Sequence, residues 1–558
     1  MNNYIQLKKA NCKNCYKCIR HCPVKSISFS DQQAHIVKDE CILCGMCFVA
    51  CPQNAKQIRN DIAVVKEMLA SGKPVYASVA PSFVANYEDS NITSMEKALK
   101  ELGFASAEET AIGATIVKKQ YEEMIKSKKE EVLISSCCHT VNTLIQKYYP
   151  EALPYLAHVQ SPMQAHCSKL KVEHPDAYTV FIGPCISKKE EADQYQGIVD
   201  CVLTFEELSE WLDEASITIT PIKDAVKKGK ARLFPTAGGI IRTMTLEQSD
   251  YDYISIDGMD NCIRAIADII KGNLSHCFIE MSACVGSCIG GPAMGKEHRA
   301  PITDFIAINR YAGQSDFDVS LPSEENLFKS ITYTGVHRLM PGSSAITEIL
   351  HKMGKSSAEQ ELNCGSCGYN TCREKAIAVY QGKADLTMCL PFLKDKAETF
   401  SDNIIYNTPN GIMVLNENLE VQQINKSACH IMNIKNKSDI LGSPVVRILN
   451  PAIYIDVMTS GNNICDKHNY LAEYQKYIEE TIIYDKNYHI IISIMRDITA
   501  EEKSRNKKDE ISRRTMEITD KVIEKQMRVV QEIASLLGET TAETKIALTN
   551  LKETLNNE

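Results

Sequence analysis

Long apolar runs are missing from this sequence. The stretch "YHIIISIM" (Tyr488–Met495) is among the longest and suits a strand; crossing a bilayer as a helix takes about 20 such residues. The opening "MNNYIQLKKANCKN" lacks the apolar core of an export signal, so a soluble, cytoplasmic protein without membrane contact is expected. There is one Trp, and aromatic residues make up only 7% of the 558. Neither sign of charge dominates: 62 Lys+Arg face 71 Asp+Glu, a formal −9, which argues against a broad nucleic-acid footprint. No Gly-rich phosphate loop and no kinase-like nucleotide motif occur. The chain is too long for one core, and roughly three to five domains are expected. Cysteine is what the sequence has in quantity: 23 residues. In a long chain without an export signal a disulfide framework is not expected, and thiols at fixed spacings point to metal.

Residues 12–22 read "CKNCYKCIRHC" and precede Pro23; residues 41–51 read "CILCGMCFVAC" and precede Pro52. This C-x2-C-x2-C-x3-C-P spacing, given twice, resembles the two-cluster bacterial ferredoxins. Zinc is the competing reading, but zinc sites of this size use two CxxC pairs with a longer spacer. The resemblance implies that Cys12, Cys15, Cys18 and Cys51 hold one [4Fe–4S] cluster, and that Cys41, Cys44, Cys47 and Cys22 hold the other.

From about 72 to 325 the pattern becomes α/β. "PVYASVA", "EVLISS", "AYTVFIG" and "SHCFIEM" read as short buried strands, interleaved with amphipathic stretches such as "SMEKALKELG". The last three strands run into "SSCCH", "GPCISKKEE" and "SACVGSCIGG". Ligands of open α/β sheets bind outside the carboxyl ends of strands. Three loops therefore present Cys137, Cys138, Cys185, Cys284 and Cys288 to one point. Small neighbours (Gly286, Ser287, Gly290, Gly291) let backbone approach a bulky group closely.

These three motifs, in this order, resemble the TSCCP, MPCxxKxxE and MACxxGCxxGG signatures of the [FeFe]-hydrogenases, and "ASVAPSF" (Ala77–Phe83, with Ala80, Pro81 and Ser82) resembles that family's pocket strand. The resemblance implies an H-cluster, a [4Fe–4S] unit joined to a diiron unit bearing CO, cyanide and an azadithiolate. Cys138, Cys185, Cys284 and Cys288 would hold it, with Cys288 bridging to the diiron unit. Lys188 would bind a cyanide, and Cys137 would pass protons, with Glu122 and Glu191 as further relay members. The departures are His139 for Pro, Gly183 and Ser282 for Met, and Lys119 in "TIVKK" at a Glu position of the proton path. A Lys there slows proton delivery, since its pKa lies far from a relaying acid's. These changes resemble the sensory branch of the family. Cys167, Cys201, Cys262 and Cys277 match none of the signatures and read as core packing.

Beyond "PSEENLFKSITYTGVHRLMPGSS", the spacing C-x2-C-x4-C-x16-C (Cys364, Cys367, Cys372, Cys389) resembles the small [4Fe–4S] modules of corrinoid iron–sulfur proteins and of membrane electron-transfer subunits. Three [4Fe–4S] clusters outside the H-cluster are thus expected. From about 399 to 499, strand, turn, strand, helices and a final "YHIIISIMRDIT" look like a PAS domain, including its closing "DIT" (Asp497–Thr499). Cys429 and His430 there read as ordinary packing or surface. Residues 500–558 are charged and helical, with Ile523, Met527, Val530, Ala534 and Leu537 at coiled-coil spacing that suits a parallel homodimer.

The expected architecture is a multidomain α/β chain: a ferredoxin-like domain (1–60), an H-cluster domain (72–325), a further 4Fe–4S module (345–395), a PAS-like α+β domain (399–499) and a signalling helix (500–558). The resemblance implies a slow hydrogenase of the H2:ferredoxin oxidoreductase type. It would sense H2 or redox state through its tail, with ferredoxin as redox partner and a kinase or phosphatase downstream. Two readings stand beside it: a working ferredoxin-linked hydrogenase, and an iron–sulfur scaffold without the diiron unit.

Overall fold

The computed structural model describes all residues except 1–3, 9–10, 128, 224–227, 246–249, 296–300, 321 and 556–558. The outermost ends of the expected ferredoxin-like domain and terminal helix therefore lie outside the described residues. The chain divides into two compact units, Met1–Leu393 and Lys394–Glu558.

The first unit begins with two small antiparallel pairs. β1 (Ile5–Leu7) pairs with β4 (Lys56–Ile58), and β2 (Ile27–Ser30) with β3 (Gln33–Ile36). Both pairs are too short to stand without a filled interior. The two cysteine runs lie between them and supply that interior with Ile19, Ile27, Ile42 and Phe48.

Two parallel sheets follow. One has the order β6-β5-β8-β9, with β5 (Val75–Val79), β6 (Ser106–Glu109), β8 (Tyr178–Gly183) and β9 (Cys201–Thr204). The other has the order β10-β11-β7, with β7 (Val132–Ile134), β10 (Asp252–Asp257) and β11 (Cys277–Ser282). The four strands expected from sequence are β5, β7, β8 and β11; they are distributed over both sheets rather than one. Central strands such as β8 bury almost every side chain, as helix-covered parallel sheets require. "SMEKALKELG" falls within a helix, Ile92–Glu101, whose Asn91 side chain accepts from Ser94 N while Ser94 Oγ receives Asn91 N, a reciprocal cap. Ile92, Met95, Ala98 and Leu99 form its buried stripe. Cys167, Cys201, Cys262 and Cys277 are all buried in these cores.

The segment 345–391 packs into the same unit through Glu40, which is 6% exposed. Its carboxylate pairs with Arg338 and Lys383. Arg59 joins Asp193 at 2.9 Å, tying the N-terminal segment to the helix after β8.

The second unit holds a five-stranded antiparallel sheet, order β13-β12-β16-β15-β14: β12 (Gly411–Asn416), β13 (Val421–Ile424), β14 (Ile464–Leu471), β15 (Lys476–Asp485) and β16 (Ile490–Asp497). Helices Lys426–Ile431 and Ala452–Ser460 lie between β13 and β14 in the chain. β12 alternates buried and half-buried residues, the mark of a sheet with one covered face. A single helix, Thr499–Leu555, follows; Ile523, Met527, Val530 and Leu537 on it are each more than half exposed.

One buried ion pair ties the end of β6 to the segments Lys230–Leu233 and Pro301–Tyr311. Arg232, fully buried, donates to Glu109 at the end of β6 through Nε (2.8 Å) and Nη2 (2.6 Å), and lies 3.8 Å over the ring of Tyr311. Removing one partner of such a pair strands a buried charge, at a cost of about 3–5 kcal/mol. Arg232→Met is expected to lower the stability of the unloaded chain by that amount in chemical denaturation; a change below ~1 kcal/mol would contradict the assigned bracing role.

Candidate active site

The sequence stops each strand with small residues or proline, and the chain turns there into a common cavity of about 120 Å³. β5 ends in Ala80, Pro81 and Ser82; β7 leads to Cys137 and Cys138; β8 leads to Pro184 and Cys185; β11 leads to Cys284 and Cys288. All of these line the cavity, with Lys188 and His139. The convergence expected from three loops is therefore present, drawn from the carboxyl ends of strands in two sheets. Among the described residues no three His, Cys, Asp or Glu side chains close on one point as around a single ion; the four thiols instead ring the cavity.

Several features suit an inorganic cluster there. Burial pushes the thiols of Cys138, Cys284 and Cys288 up, the last to about 12, and each is pushed further by the neighbouring Cys185. Thiols so placed resist ionising alone and become good ligands only when a metal supplies positive charge. Ser82 Oγ and both ring nitrogens of His139 are buried without a hydrogen-bond partner, although His139 Nε2 stands 3.4 Å from Glu190 Oε2. Native interiors rarely leave such atoms unpaired unless they face a bound group. Gly291 permits a close approach: a Cβ there would stand 2.7 Å from the Pro184 carbonyl.

The polar groups around the cavity sort into two kinds. Lys188 Nζ donates to the Cys137 carbonyl at 3.1 Å and pairs with Glu191. Burial alone would pull its ammonium down; Glu191 and the neighbouring thiols outweigh that and keep it above its ordinary value. Glu191, fully buried, is clamped between Lys188 and Lys329. Burial pushes it up, but the two ammonium groups win and hold it well below the usual carboxylate range. A carboxylate so fixed neutralises charge and is a poor proton carrier.

The expected relay members do not meet Cys137. Its thiol, raised to about 12 by burial, lies 3.3 Å from the Tyr121 hydroxyl. Tyr121 contacts Ser136 Oγ at 3.2 Å, and Ser136 donates to the Val159 carbonyl at 2.8 Å, where the chain of hydroxyls stops. Glu122 receives Thr245 N at 2.6 Å and pairs with Lys118 at 3.3 Å. Lys118, only 1% exposed, also holds Asp316, whereas Lys119 reaches the Val319 carbonyl at 3.2 Å. Two further groups escape a sequence reading: Tyr121, and Glu280 on β11. Glu280 lines the cavity, and burial pushes its carboxyl to about 7 despite nearby backbone N–H groups such as Ile241 N at 3.1 Å. An inward acid within a strand was the available signal, in the "FIEM" run.

The remaining motif cysteines form three smaller pockets in the expected groupings: Cys12, Cys15, Cys18 and Cys51; Cys22, Cys41, Cys44 and Cys47; and Cys364, Cys367, Cys372 and Cys389. The second lies against the large cavity. Gly45 packs so tightly that a Cβ would stand 2.4 Å from Pro292 and 3.0 Å from Ile186, next to Gly291 and Cys185. The third lies against the other two: at Gly368 a Cβ would meet Ile19 at 2.9 Å, and Arg20 donates to the Gly365 and Ser366 carbonyls. A buried Lys375 lines it.

The comparisons with known proteins agree with this geometry. Residues 73–292 match the model of the iron only hydrogenase large subunit, C-terminal domain; residues 4–67 match a 4Fe-4S dicluster domain, and 360–391 an Fe-S cluster model. The chain is 25% identical over 365 residues to the periplasmic [Fe] hydrogenase large subunit of Nitratidesulfovibrio vulgaris, covering 52% of this chain and 86% of that one. It is 24% identical over 291 residues to iron hydrogenase 1 of Clostridium pasteurianum (42% of this chain, half of that one). It is also 25% identical over 239 residues to the cytosolic Fe-S cluster assembly factor NAR1 of Yarrowia lipolytica, covering 36% of this chain and 48% of that one. No helix among the described residues is long and apolar enough to cross a membrane. Residues 73–292, which carry the cysteine ring, therefore form a domain of the [FeFe]-hydrogenase family.

Proposed function

We propose that the chain is a slow cytoplasmic [FeFe]-hydrogenase that senses H2 or redox state. The observation that carries this reading is the convergence of Cys138, Cys185, Cys284 and Cys288 on one cavity that also contains Cys137 and Lys188. Those four thiolates would hold the cubane part of an H-cluster, and Cys288 its bridge to the diiron unit. The cluster supplies the centre at which H2 is split or formed. Lys188, fixed by Glu191 and the Cys137 carbonyl, offers a positive charge to an anionic ligand. Ala80, Pro81 and Ser82 wall the site, and Ser82 Oγ is free to donate to it. Cys137, which lines the same cavity and has Tyr121 as its hydrogen-bond partner, would hold a proton beside the group. Glu280, near neutrality in its pocket, is a better carrier than the clamped Glu191.

Electrons would leave through the cluster held by Cys22, Cys41, Cys44 and Cys47, which abuts the cavity, and then through that of Cys12, Cys15, Cys18 and Cys51 to a ferredoxin-like partner. The cluster of Cys364, Cys367, Cys372 and Cys389 forms a branch. The antiparallel strand order of the second unit supports a PAS-like reading. The exposed stripe from Ile523 to Leu537 supports a parallel coiled-coil homodimer that signals to a kinase or phosphatase. Lys119, tied to a backbone carbonyl, supports slow turnover.

The resemblance to NAR1 favours a second reading, a scaffold holding cubanes only. Cys137 and Lys188 discriminate, since a cubane needs neither. Cys137→Ala is expected to leave the iron content of the matured protein nearly unchanged and to remove most H2 activity; full activity in the variant would sink the role given to this thiol. Cys364→Ser should remove one cluster's worth of iron and its electron paramagnetic resonance signal while the diiron infrared bands stay as they were. Loss of those bands would show instead that the branch module is needed to build the main site.

A further inference from the structure

We propose that this chain carries a second proton route, a hydrogen-bonded wire from the cavity through Thr110, Ser78 and His166 to Glu108 at the surface. It rests on the hydrogenase reading above for the protons it conducts. Thr110, at the end of β6, lines the same cavity as the cysteine ring. Its Oγ1 lies 2.8 Å from Ser78 Oγ on β5, and Ser78 Oγ lies 2.8 Å from His166 Nδ1. The other ring nitrogen, Nε2, lies 3.3 Å from Glu108 Oε2. Ser78 and His166 have no exposed surface, whereas the Glu108 side chain is one-third exposed. Each group in this series can take up one proton and pass one on, and the series starts in the cavity and ends at a solvent-exposed carboxylate.

The fold places these groups together by three independent constraints. Ser78 and Glu108 are direct partners in the parallel register of β5 and β6. His166 sits one turn beyond Pro162 and Met163, which line the cavity, on the helix Pro162–Glu173. Gly113 lets that helix approach: a Cβ there would stand 2.7 Å from His166 N and 2.3 Å from the Pro162 carbonyl. The charged groups around the outer end are Lys169, 3.9 Å from Glu108, together with Glu173 and His174. Burial keeps the His166 imidazole below its ordinary value, toward the neutral form that accepts at one nitrogen while donating at the other.

The polarity of the wire follows from its end. An ionised Glu108 only accepts, so His166 carries its proton on Nε2, and Nδ1 accepts from Ser78. A proton arriving at Thr110 Oγ1 sends the hydroxyl's own proton to Ser78, Ser78's to Nδ1, and that of Nε2 to Glu108, which releases it to water. One proton enters, one leaves, and no electron moves; H2 formation runs the series in reverse. The Cys137–Tyr121–Ser136 chain, by contrast, ends on the Val159 carbonyl, which has no proton to pass. The wire accounts for proton delivery in a chain whose Lys119 is tied to the Val319 carbonyl.

Two measurements test it. In the unloaded chain labelled with 15N-histidine, the His166 signals, assigned by their loss in His166→Gln, should show Nε2 protonated and Nδ1 bare. The opposite tautomer would overturn the wire. In protein matured with a diiron precursor, Thr110→Val removes one oxygen from the series and should lower turnover about tenfold or more. Its CO and cyanide infrared bands should be unchanged, and Thr110→Ser should keep most of the rate. Glu108→Gln should behave like Thr110→Val. Unchanged turnover in Thr110→Val with normal bands would overturn the wire and leave the hydrogenase reading intact. Absence of those bands from the parent protein would overturn that reading and this inference with it.

Discussion

Four cysteines from three chain segments must line one cavity, where the thiols of Cys138, Cys284 and Cys288 are held against ionising alone. Much of the first unit follows from that requirement. Cys138 comes from the sheet that holds β7 and β11, Cys185 from the sheet that holds β8, and neither sheet alone surrounds the cavity. The two sheets must therefore be locked against each other. The close approach of Gly291, beyond β11, to Pro184, beyond β8, acts at that boundary, and the Arg232–Glu109–Tyr311 cluster fixes the segments packed on β6. Buried ion pairs add little net stability, but they penalise every arrangement in which the partners separate. Here that penalty fixes geometry.

Charge around the cavity is arranged to the same end. Lys188, which lines the cavity, is fixed beside the ring of thiols by Glu191, which Lys329 holds from the other side. A thiolate ring with iron is anionic, and an oriented ammonium that costs no reorganisation stabilises it more than mobile solvent would. The same logic separates holding groups from moving ones. Glu191 is pinned far from neutrality, whereas burial pushes Glu280 to about 7 and holds the His166 imidazole toward its neutral form.

How much of this was legible in the sequence depended on the kind of contact. The motif spacings, through the family resemblances they carry, named the four sets of cysteines that line the four pockets. The strands before Cys137, Cys185 and Cys284 were legible as apolar runs ending in small residues. Their division between two sheets was not, since periodicity carries no information about which strand pairs with which. The docking of Cys364–Cys389 against the Ile19 turn depends on Gly368 and Glu40, whose partners lie about three hundred residues away in the chain. The relay read from sequence named Glu122 and Glu191, yet ion pairs with Lys118, Lys188 and Lys329 hold both. Such pairs form only after folding and leave no local signature. Tyr121, Glu280 and the Ser78–His166 pair lay hidden for the same reason.

The account stands on the claim that this cavity holds a diiron-bearing cluster that meets H2. The direct measurement is infrared spectroscopy of the full chain matured with a diiron precursor, recorded before and after exposure to H2 across the CO and cyanide stretching region. The account predicts bands that appear on maturation and shift under H2. A chain with its [4Fe–4S] clusters intact and no such bands would contradict it and leave the scaffold reading in its place.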